Sequence, residues 1–143
     1  MLDLCNKRDI TEGLDSKYSI YHSAAVGLVR GKAGLQEYTD AAANDPLIKR
    51  VRERVSAVGD ASITEDQSHV EVDLENGRTI RRFVEQSLGN LRRPLTDRQL
   101  EEKFRDQAAP RISDAQADKL IDLCWRLDEL QDVNEIIRGT FRE

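Results

Sequence analysis

Asn76-Gly77 separates two short runs of alternating apolar and polar residues, and this stretch constrains the fold more than any other. Val70, Val72 and Leu74 alternate with Glu71 and Asp73, and Thr79 to Val84 follows the turn. A period of two puts alternate side chains on opposite faces of a strand, and Asn-Gly between two such runs signals a hairpin. Loop length decides the register. A two-residue loop at Asn76-Gly77 sets Val72 against Arg81. A three-residue loop ending in Gly77 sets Val72 against Ile80 and Glu71 against Arg81. It also gathers Val70, Val72, Leu74, Ile80 and Val84 on one face. This second register is the one expected, with Gly77 at positive φ in a bulge. His69 falls out of phase with the apolar face and is expected to meet solvent.

The flanking sequence reads as helix. Residues 1–18 are polar and irregular, with Gly13 as a breaker. Ile20 to Arg30 fits a helix capped by Gly31, with Ala24, Ala25, Leu28 and Val29 at helical spacing. Gly34 to Ala43 reads as a short helical or turn segment. Asp45-Pro46 marks a helix start, with Asp as N-cap and Pro at the first helical position. Leu47, Ile48, Val51 and Val55 give that helix its apolar side, and Val55 to Val58 is expected as a first strand. Thr96 to Gln99 and Ser113 to Gln116 are capping boxes that open two helices. The second carries Ala117, Leu120, Ile121, Cys124, Leu127 and Leu130 near one side. A short final helix follows Asp132. The sum is one α+β domain over residues 1–143: a small antiparallel sheet of about three strands packed with helices, and a helical C-terminal third. Strands that cluster around a tight turn exclude βαβ winding.

Composition narrows the function classes. With 38% hydrophobic residues the chain can build a core, so its 34% charged residues do not mark disorder. The formal net charge is -5 and both signs are interspersed, so no basic stripe suits a nucleic-acid backbone. No apolar run spans a bilayer, and Met1 to Cys5 lacks the pattern of an export signal. Cys5 and Cys124 are therefore expected as free thiols in the cytoplasm, with Cys124 packed on its helical stripe. No phosphate loop, dinucleotide fingerprint or metal-ligand spacing occurs, so neither cofactor nor metal is expected.

One segment concentrates reactive groups: Lys17-Tyr18-Ser19-Ile20-Tyr21-His22, at the entry to an apolar helix. Two readings are open. In one, this is a polar helix start whose Tyr rings pack on the core. In the other, it is an anion-binding and proton-transfer cluster. Lys17 supplies a fixed positive charge, His22 exchanges a proton near neutral pH, and helix N–H groups favour an anion.

The segment from Lys17 to Leu28 resembles the opening of the second domain in enzymes of the MmgE/PrpD (2-methylcitrate dehydratase) family. So do Gly31-Lys32-Ala33-Gly34, Tyr38-Thr39-Asp40, Asp45-Pro46, Val70 to Arg78, Pro94 to Asp97, Lys103-Phe104 and Trp125 to Leu130. Each is weak alone, but their order and spacing extend the resemblance from Leu4 to Ile137. It implies the α+β lid of an enzyme whose large helical domain lies on the other side of the active site. Members include 2-methylcitrate dehydratase, cis-aconitate decarboxylase and iminodisuccinate epimerase, which act on small polycarboxylates without a metal. By the resemblance, Lys17 holds a substrate carboxylate, and Tyr18 and Tyr21 line the substrate. His22 is the catalytic residue, moving a proton or polarising a substrate oxygen. Many members carry Pro soon after the Lys-Tyr pair, where this chain has Ser19-Ile20. The chain starts almost where the lid would start. Three explanations are open: a fragment of a longer enzyme, a lid retained for a different task, or a split enzyme whose partner is a helical N-terminal domain on another chain. As an enzyme component the chain alone is expected to be inactive. Self-association as an interaction module is the alternative.

Overall fold

The computed structural model describes residues 2–141, with side chains from Leu4 onward. Contacts divide the chain into two compact units, Met1–Leu95 and Thr96–Glu143.

The first unit runs α1 (Leu2–Cys5), α2 (Gly13–Ser16), α3 (Ile20–Arg30), a 3-10 turn (Leu35–Tyr38), α4 (Asp40–Ala43) and α5 (Pro46–Arg52). The hairpin β1 (Ser68–Asp73) and β2 (Thr79–Val84) follows. Helix α3 starts where the Ser19 hydroxyl accepts the His22 N–H at 3.2 Å. It ends at Gly31, whose φ of 70° lets its N–H reach the Gly27 carbonyl. Asp45 caps α5 by accepting from the N–H groups of Leu47 and Ile48 at 2.9 and 3.2 Å. Helix α3 packs on α5. Their shared core is Ala25, Val26, Ala42 and Ile48, flanked by Val29 and Val51. Burial of each large aliphatic side chain contributes about 1.5–3 kcal/mol, while the alanines let backbones approach.

Two expectations for this unit change. Gly13 does not break the chain but opens α2, buried against the segment before α4. Its N–H donates to Asp40 Oδ1 at 2.6 Å. A Cβ at Gly13 would lie 2.4 Å from the Tyr38 carbonyl oxygen, so close approach, not turn geometry, requires the glycine. The first strand expected at Val55 to Val58 is absent. Helix α5 closes in turns from Arg54 to Val51 and from Val55 to Arg52, and residues 55–60 follow without regular structure. Val58 is 87% exposed. A strand is stable only when its backbone groups find a ladder partner, and this segment has none. The described sheet is therefore two-stranded.

The hairpin adopts the three-residue register. Val72 faces Ile80 and Glu71 faces Arg81. The Leu74 N–H bonds the Arg78 carbonyl at 2.8 Å, and Gly77 holds a φ of 80°. His69 is exposed and its ring stacks at 4.7 Å on Phe83. The apolar face is only partly covered: Val70 is 44% and Ile80 41% exposed.

The second unit contains α6 (Asp97–Ala108), α7 (Asp114–Trp125), a 3-10 turn (Leu127–Glu129) and α8 (Asn134–Gly139). Both capping boxes form. The Thr96 and Ser113 hydroxyls accept from the N–H groups of Gln99 and Gln116, whose side-chain oxygens accept in return. Helix α7 packs against α6 and α8. Its buried residues are Ala117, Leu120 and Leu123, a face rotated from the expected stripe. Cys124 is exposed rather than packed. The helix stops at Trp125, so Leu127 and Leu130 do not extend the stripe that would have covered it. Gly139 supplies room for Leu120, whose side chain would lie 2.8 Å from an added Cβ.

Candidate functional site

The turn between α2 and α3 carries Lys17 and Tyr18. Ser19 pairs with Asn6 in a short bridge, and the Lys7 N–H bonds the Tyr18 carbonyl at 3.1 Å. This leaves Lys17 exposed and Tyr18 55% exposed at the mouth of α3. Tyr21 and His22, one helical turn inward, are buried. The four residues singled out in the sequence thus divide into two that meet solvent and two that do not. The Tyr21 hydroxyl donates to Asn6 Oδ1 at 2.5 Å, and the Arg8 guanidinium lies 4.0 Å over the Tyr21 ring.

His22 has no exposed surface, yet both ring nitrogens are engaged. Nε2 lies 2.7 Å from the Glu37 carbonyl oxygen, and Nδ1 lies 3.4 Å from Arg52 Nη1. A carbonyl only accepts and a guanidinium only donates, so Nε2 carries the proton and Nδ1 presents its lone pair. The ring is therefore neutral. Burial is the main reason its pKa lies below the ordinary histidine value, and the Arg52 and Arg30 charges act in the same direction. The bond to the Glu37 carbonyl works the other way.

Around the ring lies a connected polar layer. Glu37 is buried, and one carboxylate oxygen accepts from the Gly34 N–H at 3.0 Å. The other is 3.6 Å from Arg30, which also reaches Asp45 at 3.3 Å. The Tyr38 ring sits 5.6 Å from His22, and its hydroxyl pairs with Ser23 at 3.0 Å. Arg52 donates to the Ala43 carbonyl at 3.1 Å. Burial pushes the Arg52 pKa down, and the charge of Glu53 opposes it.

Arg52 and Glu37 escaped the sequence reading. One signal for Arg52 was present. It stands four residues after Ile48, on the apolar side of α5, where a solvated Arg would not be placed. For Glu37 no comparable signal exists, because its partners Gly34 and Arg30 meet it only through a turn.

The second unit holds a separate feature, an apolar groove of about 150 Å³ between α6 and α7. Leu100, Phe104, Leu120, Ile121, Cys124 and Trp125 line it, and the Trp125 indole N–H donates to Glu101 at 2.8 Å. Among the described residues no group of three or more His, Cys, Asp or Glu is placed to hold a metal ion. No described helix is long and apolar enough to cross a membrane.

No curated protein matches this chain. The family model for the MmgE/PrpD C-terminal domain matches residues 1–127. That span contains α1 to α7 and the hairpin, and it ends short of Ile137, where the motif resemblance ends. A match over most of the chain, with the Lys17-to-His22 segment inside it, assigns the chain to the MmgE/PrpD family as a C-terminal domain of that family.

Proposed function

We propose that this domain supplies one side of the active site of a metal-independent lyase or isomerase acting on small polycarboxylates. A helical N-terminal domain of the same family completes that site. One observation carries the reading: an exposed Lys17 stands at the Ser19-capped entrance of α3, with His22 in the helix's first turn. A carboxylate near Lys17 gains both a lysine charge and the partial positive charge of an eleven-residue helix. In this reading Lys17 binds a substrate carboxylate, Tyr18 and Tyr21 shape the entrance, and His22 handles the proton. His22 performs that task only when its contacts with Arg52 and the Glu37 carbonyl open, because the ring is wholly covered in this chain. The two free thiols fit a cytoplasmic setting.

The test is to combine the purified domain with a helical MmgE/PrpD domain and follow double-bond formation from 2-methylcitrate and related acids. The domain alone is expected to show no turnover, and the mixture to gain it. Lys17→Ala is expected to raise KM and His22→Gln to lower kcat. Absence of turnover with every helical partner would overturn the reading.

A second reading, an interaction module that self-associates, draws on the groove and on Trp125 and Leu127, each about half exposed. Light scattering separates the two: a strict monomer at high concentration removes the self-associating module.

A further inference from the structure

We propose that Arg52 is a carboxylate-binding residue of this same site, taking one carboxylate of a small polycarboxylate on the Nε–Nη2 edge of its guanidinium. The identity of the ligand class rests on the function proposed above; the site itself rests on the geometry of Arg52.

Arg52 is 9% exposed. An arginine stays charged at any ordinary pH, and a cation so withdrawn from water requires compensation. The chain supplies only part of it. Nη1 donates to the Ala43 carbonyl at 3.1 Å and to His22 Nδ1 at 3.4 Å. Both partners are neutral, and among the described residues no carboxylate stands within ion-pair distance of Arg52. Arg30 forms the contrast: Glu37 and Asp45 both face it.

Donor accounting locates the open edge. The guanidinium has five N–H donors, and the two on Nη1 are used. Nε and Nη2 have no partner among the described residues, yet no buried side-chain nitrogen lacks one. Nε and Nη2 therefore each keep some surface open to solvent. That edge has the spacing for a bidentate carboxylate. Its orientation is already held by Nη1, so little side-chain freedom is lost on binding. Partial burial strengthens the attraction relative to a fully solvated arginine.

The position also gives the ligand a consequence. His22 faces Arg52 on Nδ1 and the Glu37 carbonyl on Nε2, with Arg30 nearby and the Glu37 carboxylate turned toward Gly34 and Arg30. A carboxylate on Arg52 offsets the positive charge that most directly opposes protonation of His22. Ligand binding and proton uptake at His22 are then coupled in the same direction.

The experiment is a citrate titration of the ¹⁵N-labelled protein, followed on the Arg52 Nε–H and His22 ring signals. Acetate and sulfate serve as parallel titrants. Citrate is expected to shift both signals saturably, more tightly than acetate or sulfate, and to raise the pH at which His22 titrates. Arg52→Lys is expected to weaken the effect on His22 by roughly tenfold or more, the loss of a charged bidentate pair. Arg50→Gln, at an exposed position of the same helix, is expected to leave it unchanged. The wild-type Arg52 signal is itself decisive, so the test does not depend on whether a buried-site variant folds. No saturable shift, equal response to sulfate, or full retention of the His22 effect in folded Arg52→Lys would overturn the proposal. Turnover in the completed enzyme with KM unchanged in Arg52→Lys would overturn it while leaving the proposed function intact. Citrate binding at Arg52 without turnover under any helical partner would do the reverse.

Discussion

Helices α3 to α5 and the hairpin lie in the same unit and are ordered by opposite means. The helices and the turn between them bury Ile48, His22, Glu37 and Val26 almost completely. The two polar side chains among them are partnered across elements, His22 by the Glu37 carbonyl and Arg52, and Glu37 by Arg30. The hairpin leaves Val70 and Ile80 more than two-fifths exposed, and its order comes from the Gly77 turn and cross-strand pairs. A buried polar network fails when one member is changed, because a stranded group loses water without gaining a partner. A local hairpin absorbs changes one pair at a time. Tyr21, His22 and Arg52 stand at the first kind of place, where position is held tightly, while Lys17 and Tyr18 meet solvent in the turn before α3.

The largest expected effect breaks the helical side of this contrast. Ile48→Ala removes a wholly buried side chain at the α3–α5 contact and is expected to cost about 2–5 kcal/mol in urea unfolding. A loss under about 1 kcal/mol would mean the core is far looser than its burial implies. On the hairpin side, Gly77→Ala forces a side chain to a φ of 80° and is expected to cost about 1–2 kcal/mol. The loss should appear as faster amide exchange in β1 and β2, with α3 unaffected. Equal acceleration in α3 would show that the two regions open together.

Acid sharpens the comparison at His22. Its folded pKa lies below the ordinary value because burial and neighbouring arginines disfavour the charged ring. The unfolded chain therefore takes up the proton first. Stability is full above the unfolded value of about 6.5 and falls as pH drops below it toward the folded value. His22→Gln is expected to flatten this part of the stability profile, whatever its own stability. Asp15 and Asp45, held below the usual carboxylate range chiefly by bonds to Lys7 and the Ile48 N–H, act in a more acidic window. An unchanged slope in His22→Gln would remove the ring from the acid response. The smallest effect belongs to the exposed pair Glu71–Arg81, at 2.8 Å. A double-mutant cycle to alanine is expected to give a coupling of about 0.2–1 kcal/mol, decreasing with salt.

Much of the fold was legible because its signals are local. Asn76-Gly77, Asp45-Pro46, Gly31 and the two capping boxes act within a few residues, and each appears where its chemistry requires. The strand expected at Val55 to Val58 failed for the complementary reason: apolar residues favour a strand, but only a neighbouring ladder makes one. Cys124 misled in the same way. Its helical spacing matched an apolar stripe, while the stop at Trp125 and the contact with α8 rotated the buried face to Ala117, Leu120 and Leu123.

The candidate site divides along the same line. The sequence alone determined that Lys17, Tyr18, Tyr21 and His22 stand at one helix entrance, because helix start signals and residue order are local properties. The family followed from the order of its motifs. Only the tertiary structure decided that Lys17 meets solvent while His22 is enclosed, that the imidazole is neutral, and that Arg52 stands against it with no ion-paired carboxylate among the described residues. Those facts depend on residues 15 and 30 positions away closing around one ring. Burial, hydrogen-bond partners and local dielectric are properties of that closure, and no short stretch of sequence contains them.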